Sequence, residues 1–165
     1  MMSNKIAYLV CAALIFSACK SNYYSKDDYQ SVLKIDTHAH IDTDKGFFEE
    51  QAIKDNFKLL TINVDHSDSA AVINQHTIAL NSIKKYPGTV YYAATFYFDT
   101  AGFGTVNWSD KVISHLENNI AGGAVSVKIW KNIGMTERDR SGKFIMIDDP
   151  AIEPVINFII SRNIA

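Results

Sequence analysis

The chain has 165 residues, 47% of them hydrophobic, enough to bury one globular core. Its formal net charge of −2, from 16 basic and 18 acidic side chains, supplies no basic surface for a polyanion and so argues against a nucleic-acid partner. Residues 1–18 read as a signal peptide, with Lys5 as the positive n-region, Ile6 to Phe16 as the apolar run, and Ser17-Ala18 as the small residues before a cleavage point. That run is too short to span a bilayer, which disfavours a permanent membrane helix.

Cys19 follows directly, and Phe16-Ser17-Ala18-Cys19 resembles a bacterial lipoprotein lipobox with Phe in place of the commoner Leu. The cysteine count agrees. Cys11 would leave with the signal peptide, and the single thiol remaining is explained by lipidation at Cys19. The expected location is the cell envelope of a bacterium, periplasmic or surface-facing, with the membrane as a partner through that lipid; ordinary secretion is the alternative. Residues 19–34 are polar without a sustained period and suit a tether to a domain over 35–165.

Ile35-Asp36-Thr37-His38-Ala39-His40-Ile41 alternates apolar and polar residues, so as a strand it sets Asp36, His38 and His40 on one face and Ile35, Thr37, Ala39 and Ile41 on the other. Two imidazoles about 7 Å apart along a strand can converge on one metal ion. Two histidines at a polar strand end, with no metal, are the alternative. A turn over 42–46 and a helix over 47–56 follow, and Phe57 to His66 is the second strand. Asp65 and His66, at its end, are candidates for substrate contact, with capping or hydrogen bonding as the alternative. Ser67, Asp68 and Ser69 offer N-caps to a helix that Pro87-Gly88 stops.

The β-branched and aromatic run from Thr89 to Phe98 is a third strand. The Gly-x-Gly of the loop over 99–105 lacks the third glycine of a dinucleotide site. Asn107 or Ser109 caps the next helix, which Gly122-Gly123 ends. His76 and His115 read as surface residues of their helices. The fourth strand, Ala124 to Trp130, sets Val125, Val127 and Ile129 against Ser126, Lys128 and Trp130. A lysine facing inward there carries a desolvation cost unless it is paired or modified. The segment 131–149 is a long loop with a turn at Asp139–Lys143 and a small strand over 144–147; such loops serve as lids. Asp148-Asp149-Pro150 reads either as an acidic pair or, more simply, as the N-cap and first residue of a last helix, which Pro154 restarts or kinks.

Strand then helix, four times at about 30-residue spacing, predicts an α/β fold with a parallel sheet. Ile35-Asp36-Thr37-His38-Ala39-His40 resembles the first-strand signature of the amidohydrolase superfamily of metal-dependent TIM-barrel hydrolases. Val127-Lys128-Ile129-Trp130-Lys131-Asn132-Ile133-Gly134-Met135 with Asp148-Asp149-Pro150 resembles its amidohydrolase-related branch. The resemblance runs from about Ile35 onward. It implies a partial TIM barrel, about four β/α units of a (β/α)8 barrel that takes roughly 250 residues.

It also implies one or two divalent metal ions, zinc above all, on His38 and His40, with Lys128 as a bridging ligand if carboxylated, and Trp130 beside Asp65 and His66 at the substrate. Lys131 is the fallback for Lys128. In the family the remaining ligands come from later strands, so this stretch is expected to be an inactive N-terminal part of a hydrolase acting on a C–N or C–O bond of a small molecule. The alternatives are a decarboxylase of the same branch, a TatD-type nuclease, or a non-catalytic lipoprotein binding module. The TatD type carries a fourth-strand glutamate that is missing here; PHP-type phosphoesterases lack the Lys-Ile-Trp-Lys-Asn stretch. A half-barrel exposes two strand edges and is expected to self-associate.

Overall fold

The computed structural model describes residues 23–65 and 68–164. The expected signal peptide, Cys19 and His66 lie outside those residues. Residues 23–32 belong to a separate unit. There a single 3-10 turn, Lys26–Asp28, is held by the Asp28 carboxylate, which accepts from the Ser25 N–H and so sits below the usual carboxylate range. The stretch expected to be a plain tether therefore carries one structured turn.

From Lys34 the chain runs β1 (Lys34–Ala39), α1 (Phe47–Lys54), β2 (Phe57–Ile62), α2 (Ser69–Lys85), β3 (Val90–Ala94), α3 (Val106–Ala121), β4 (Ser126–Val127) and α4 (Glu153–Ser161). A single helical turn, Asn132–Met135, lies between β4 and α4 and is broken at Ile133 and Gly134. The four strands pair in chain order, all parallel, in one open, curled sheet. The expected α/β architecture is thus present. Its strands are shorter than the sequence pattern suggests: β3 stops at Ala94 rather than Phe98, and β4 keeps two residues of the expected seven. Beyond these ends the chain stays extended but turns to loop partners, as where the Asn63 N–H still reaches the Ala93 carbonyl.

The helices cover one face of this sheet. Leu59, Val90, Ala39, Ile41, Ala52 and Tyr86 form one cluster, and Tyr92, Ala94, Phe96, Trp108, Val112 and Leu116 anchor a second. On α3 the buried residues recur as Trp108, Val112, Leu116 and Asn119, and on α2 as Val72, Ala79 and Ser82, the spacing of a helix lying on a sheet. α2 is capped by Asp68, as expected, its carboxylate accepting from the Ala71 N–H. α3 begins earlier than Asn107, because the Thr105 hydroxyl accepts from the Trp108 N–H and is the cap. Asp149 caps only a turn, through the Ala151 N–H; α4 starts at Glu153 with Pro154 inside its first turn, where a missing N–H costs nothing. The small strand expected over 144–147 is reduced to one antiparallel bridge, Arg138 to Phe144.

Candidate functional site

The site begins with an irregularity in β1. Register with β2 shifts between Asp36 and Ala39, so the alternation expected across the whole motif breaks there. Asp36 pairs with Leu59 and lines a small cavity under α1, while its carboxylate accepts from the His38 N–H at 2.9 Å. Asp36 is therefore not on the face of the two histidines. Past the shift, Ala39 and Ile41 are buried towards the helices, which turns His38 and His40 to the other, open face.

There the two rings stand edge to face, centres 5.1 Å apart at 78°. Two imidazoles bound to one tetrahedral zinc, with Zn–N of about 2.0–2.1 Å, have ring centres about 5 Å apart, so this spacing fits a shared ion. The His40 Nδ1 lies 3.0 Å from the Ile62 carbonyl. A carbonyl can only accept, so Nδ1 is the donor and, in the neutral ring that binds metal, Nε2 is the atom left with the lone pair; such an outer contact orients a metal-binding imidazole. The ligand count falls short, however. A catalytic zinc takes three protein ligands, and among the described residues no group of three or more His, Cys, Asp and Glu is placed to hold a metal.

Trp130 comes to the same place from the end of β4. Its ring stacks on His40 at 6.2 Å and 29°, and its indole N–H donates to the Asn63 carbonyl at 3.0 Å. The Lys128 ammonium lies 5.6 Å from the centre of the Trp130 ring. Lys128 is half-buried, and the Thr95 hydroxyl donates to its main-chain carbonyl at 2.8 Å. Because the residue is half-buried and not fully enclosed, the desolvation argument for a modified lysine is weaker here than the sequence suggests. Lys131 is exposed. No family model, curated protein or solved structure matches this chain. The reading of the site therefore rests on its chemistry.

Asp65 is a brace between loops. One carboxylate oxygen accepts from the Asn132 side-chain amide at 2.8 Å and the other from the Phe98 N–H at 3.4 Å. The same Asn132 amide donates to Glu137, whose other oxygen accepts from the Thr100 hydroxyl at 2.8 Å. Four residues from the ends of β2, β3 and β4 are stitched together, and the Asn132 Oδ1 is left buried with no partner. Sequence reasoning singled out Asp65 and missed Asn132, Glu137 and Thr100. Their common signal is a polar residue just beyond a strand end, too common a pattern to pick out one amide serving two carboxylates.

His76 and His115 are half-buried, with partners on β3 or just past its end, where the sequence suggests plain surface residues. Nδ1 of His76 is 3.0 Å from the Tyr92 hydroxyl, and Nε2 of His115 is 3.0 Å from the Thr95 carbonyl. Burial lowers the pKa of both, and for His76 the nearby His115 lowers it further. Tyr92, with no exposed surface, is pushed well above the ordinary phenol range by burial. This cluster lies on the helix side of the sheet, away from His38 and His40.

Proposed function

We propose that this chain is part of a metal-dependent hydrolase of the amidohydrolase type, with its sheet the first part of a TIM barrel and its histidine pair the first ligands of the metal centre. The observation that carries the reading is the His38–His40 pair on the open face at the strand's C-terminal end, with His40 held by Ile62 so that Nε2 is free. That end is where barrels of this class keep their chemistry. A bound zinc would supply a water nucleophile at neutral pH.

His38 and His40 hold two positions of that centre, and the ligand count requires further residues from outside those described. Trp130 fixes the His40 ring from one side and offers an apolar wall to a small substrate. Lys128 gives the same wall a positive charge, to attract a carboxylate or carbonyl group or, once carboxylated, to act as a ligand. Anchoring through a lipidated Cys19 in the bacterial envelope belongs to the same proposal.

The test is hydrolysis of small amides, lactones and esters by the native protein purified with its metal. Loss of turnover in both His38→Ala and His40→Ala, with folding intact, is the expected result; full activity in either variant would refute the assignment. A second reading is an envelope binding module with no chemistry, since the described residues bring only His38 and His40 together as ligands. Ligand binding that ignores chelator and both histidine substitutions would establish that one instead.

A further inference from the structure

β2 and β4 are not neighbours in the sheet, because β3 lies between them. Beyond the end of β3 at Ala94 their chains nevertheless meet. The Trp130 indole N–H donates to the Asn63 carbonyl at 3.0 Å, and two residues further along both chains the Asn132 side-chain amide donates to the Asp65 carboxylate at 2.8 Å. The other Asp65 oxygen accepts from the Phe98 N–H, which brings the chain after β3 into the same clamp. Asn132 is also the knot of its own turn, since its main-chain carbonyl accepts from the N–H groups of Thr136 and Glu137, both at 2.9 Å. Asp65 thus grips a closed turn at its central residue, and Trp130 stands two residues away on the same piece of chain.

We propose that Asp65 is a positioning residue for the His40 imidazole, acting through Asn132 and Trp130. The contact of His40 Nδ1 with the Ile62 carbonyl holds one edge of the ring and leaves it free to turn about that bond. The Trp130 ring, 6.2 Å away and inclined by 29°, is what limits its plane. One indole hydrogen bond cannot hold Trp130 by itself, because the side chain swings with the chain that carries it; the Asp65 to Asn132 bond fixes that chain against the end of β2. With the clamp open, Trp130 leaves its stack and the imidazole plane is released. On the reading of His38 and His40 as metal ligands, from which this step takes its consequence, loss of such an outer contact lowers metal affinity by about 10–100-fold.

The test compares the metal-free full-length protein with its Asp65→Ala variant through the ring-proton signals of His40, assigned with His40→Ala, which the Trp130 ring current displaces. Trp130→Leu supplies their positions without the stack. Tyr92→Phe, which removes a hydrogen bond on the other side of the sheet, is the control for a fold that is merely less stable. The expected result is that Asp65→Ala moves the His40 signals most of the way to their Trp130→Leu positions and binds zinc at least about tenfold more weakly, while Tyr92→Phe changes neither. Asp65→Asn, which keeps the shape and one oxygen, should show the same displacement at smaller size and serves if Asp65→Ala does not fold. His40 signals in the Asp65 variants that coincide with the parent's would overturn the proposal, as would an equal displacement in Tyr92→Phe. Native protein that binds no zinc would refute the metal reading and not this one, since the metal-free signals decide it alone.

Discussion

Replacing Tyr92 by Phe isolates a single oxygen at the junction of β3, α2 and α3. The Tyr92 hydroxyl donates to the Asn119 main-chain carbonyl at 2.8 Å, so the His76 Nδ1 at 3.0 Å must donate into the hydroxyl oxygen. Phe keeps the ring and its packing, so no cavity larger than one oxygen forms. The Asn119 carbonyl also keeps a second donor, the Ala124 N–H at 3.0 Å. What is lost is the hydroxyl's buried donation to Asn119, shared between the main-chain carbonyl and the side-chain Oδ1 3.2 Å away, together with the acceptor for a half-buried His76 N–H. Such a loss costs about 1–2 kcal/mol, which in a chain of this size lowers Tm by roughly 2–8 °C. Urea unfolding at neutral pH should move its midpoint down with an unchanged slope. A Tyr92→Phe protein as stable as the parent would show that the hydroxyl only fills space and that the three-element junction is wrongly described.

Protonation gives a related expectation. His76 and His115 have pKa values lowered in the folded state, so the unfolded chain binds more protons as pH falls through the free histidine value near 6.5. Their contribution is full above that value and is lost on acidification, by at most about 1.4 kcal/mol per pH unit for each histidine. Replacing both by Gln should flatten the stability profile between neutral and mildly acidic pH; an unchanged profile would contradict the burial argument. Gly46 has φ of +84°, and a Cβ there would run into the Tyr86 hydroxyl. Gly46→Ala should therefore cost about 1–3 kcal/mol by chemical denaturation, and a neutral effect would refute the strain. Asn132→Leu leaves Asp65 and Glu137 without their shared donor and should cost about 1–3 kcal/mol while speeding hydrogen exchange at the Phe98 N–H. Exchange there as slow as in the parent would show that Asp65 is held by other contacts.

The sheet was legible because each strand carries a short apolar run and each helix a cap or a glycine stop, so element order and parallel pairing follow from local pattern. Strand lengths were not, because Thr95 to Phe98 keep the β-branched and aromatic character of β3 after its pairing has ended; only neighbouring strands decide that. The histidine pair was readable from alternation, and its position on the open face agrees. The break at Asp36 was not, since a register shift leaves no mark in a clean alternating pattern. His76 and His115 were misjudged on residue type alone. Their helical spacing from Val72 and Ala79, and from Val112 and Asn119, places them on the buried stripes.

The most direct test of the central claim is metal binding itself. Zinc added to the native protein with labelled histidines should perturb the ring nitrogens of His38 and His40 together, with Nε2 of His40 as the ligating atom and its Nδ1 still protonated against Ile62. Both single alanine variants should lose that signal. Zinc that leaves these two rings unperturbed, or that binds equally well without either of them, would contradict the account.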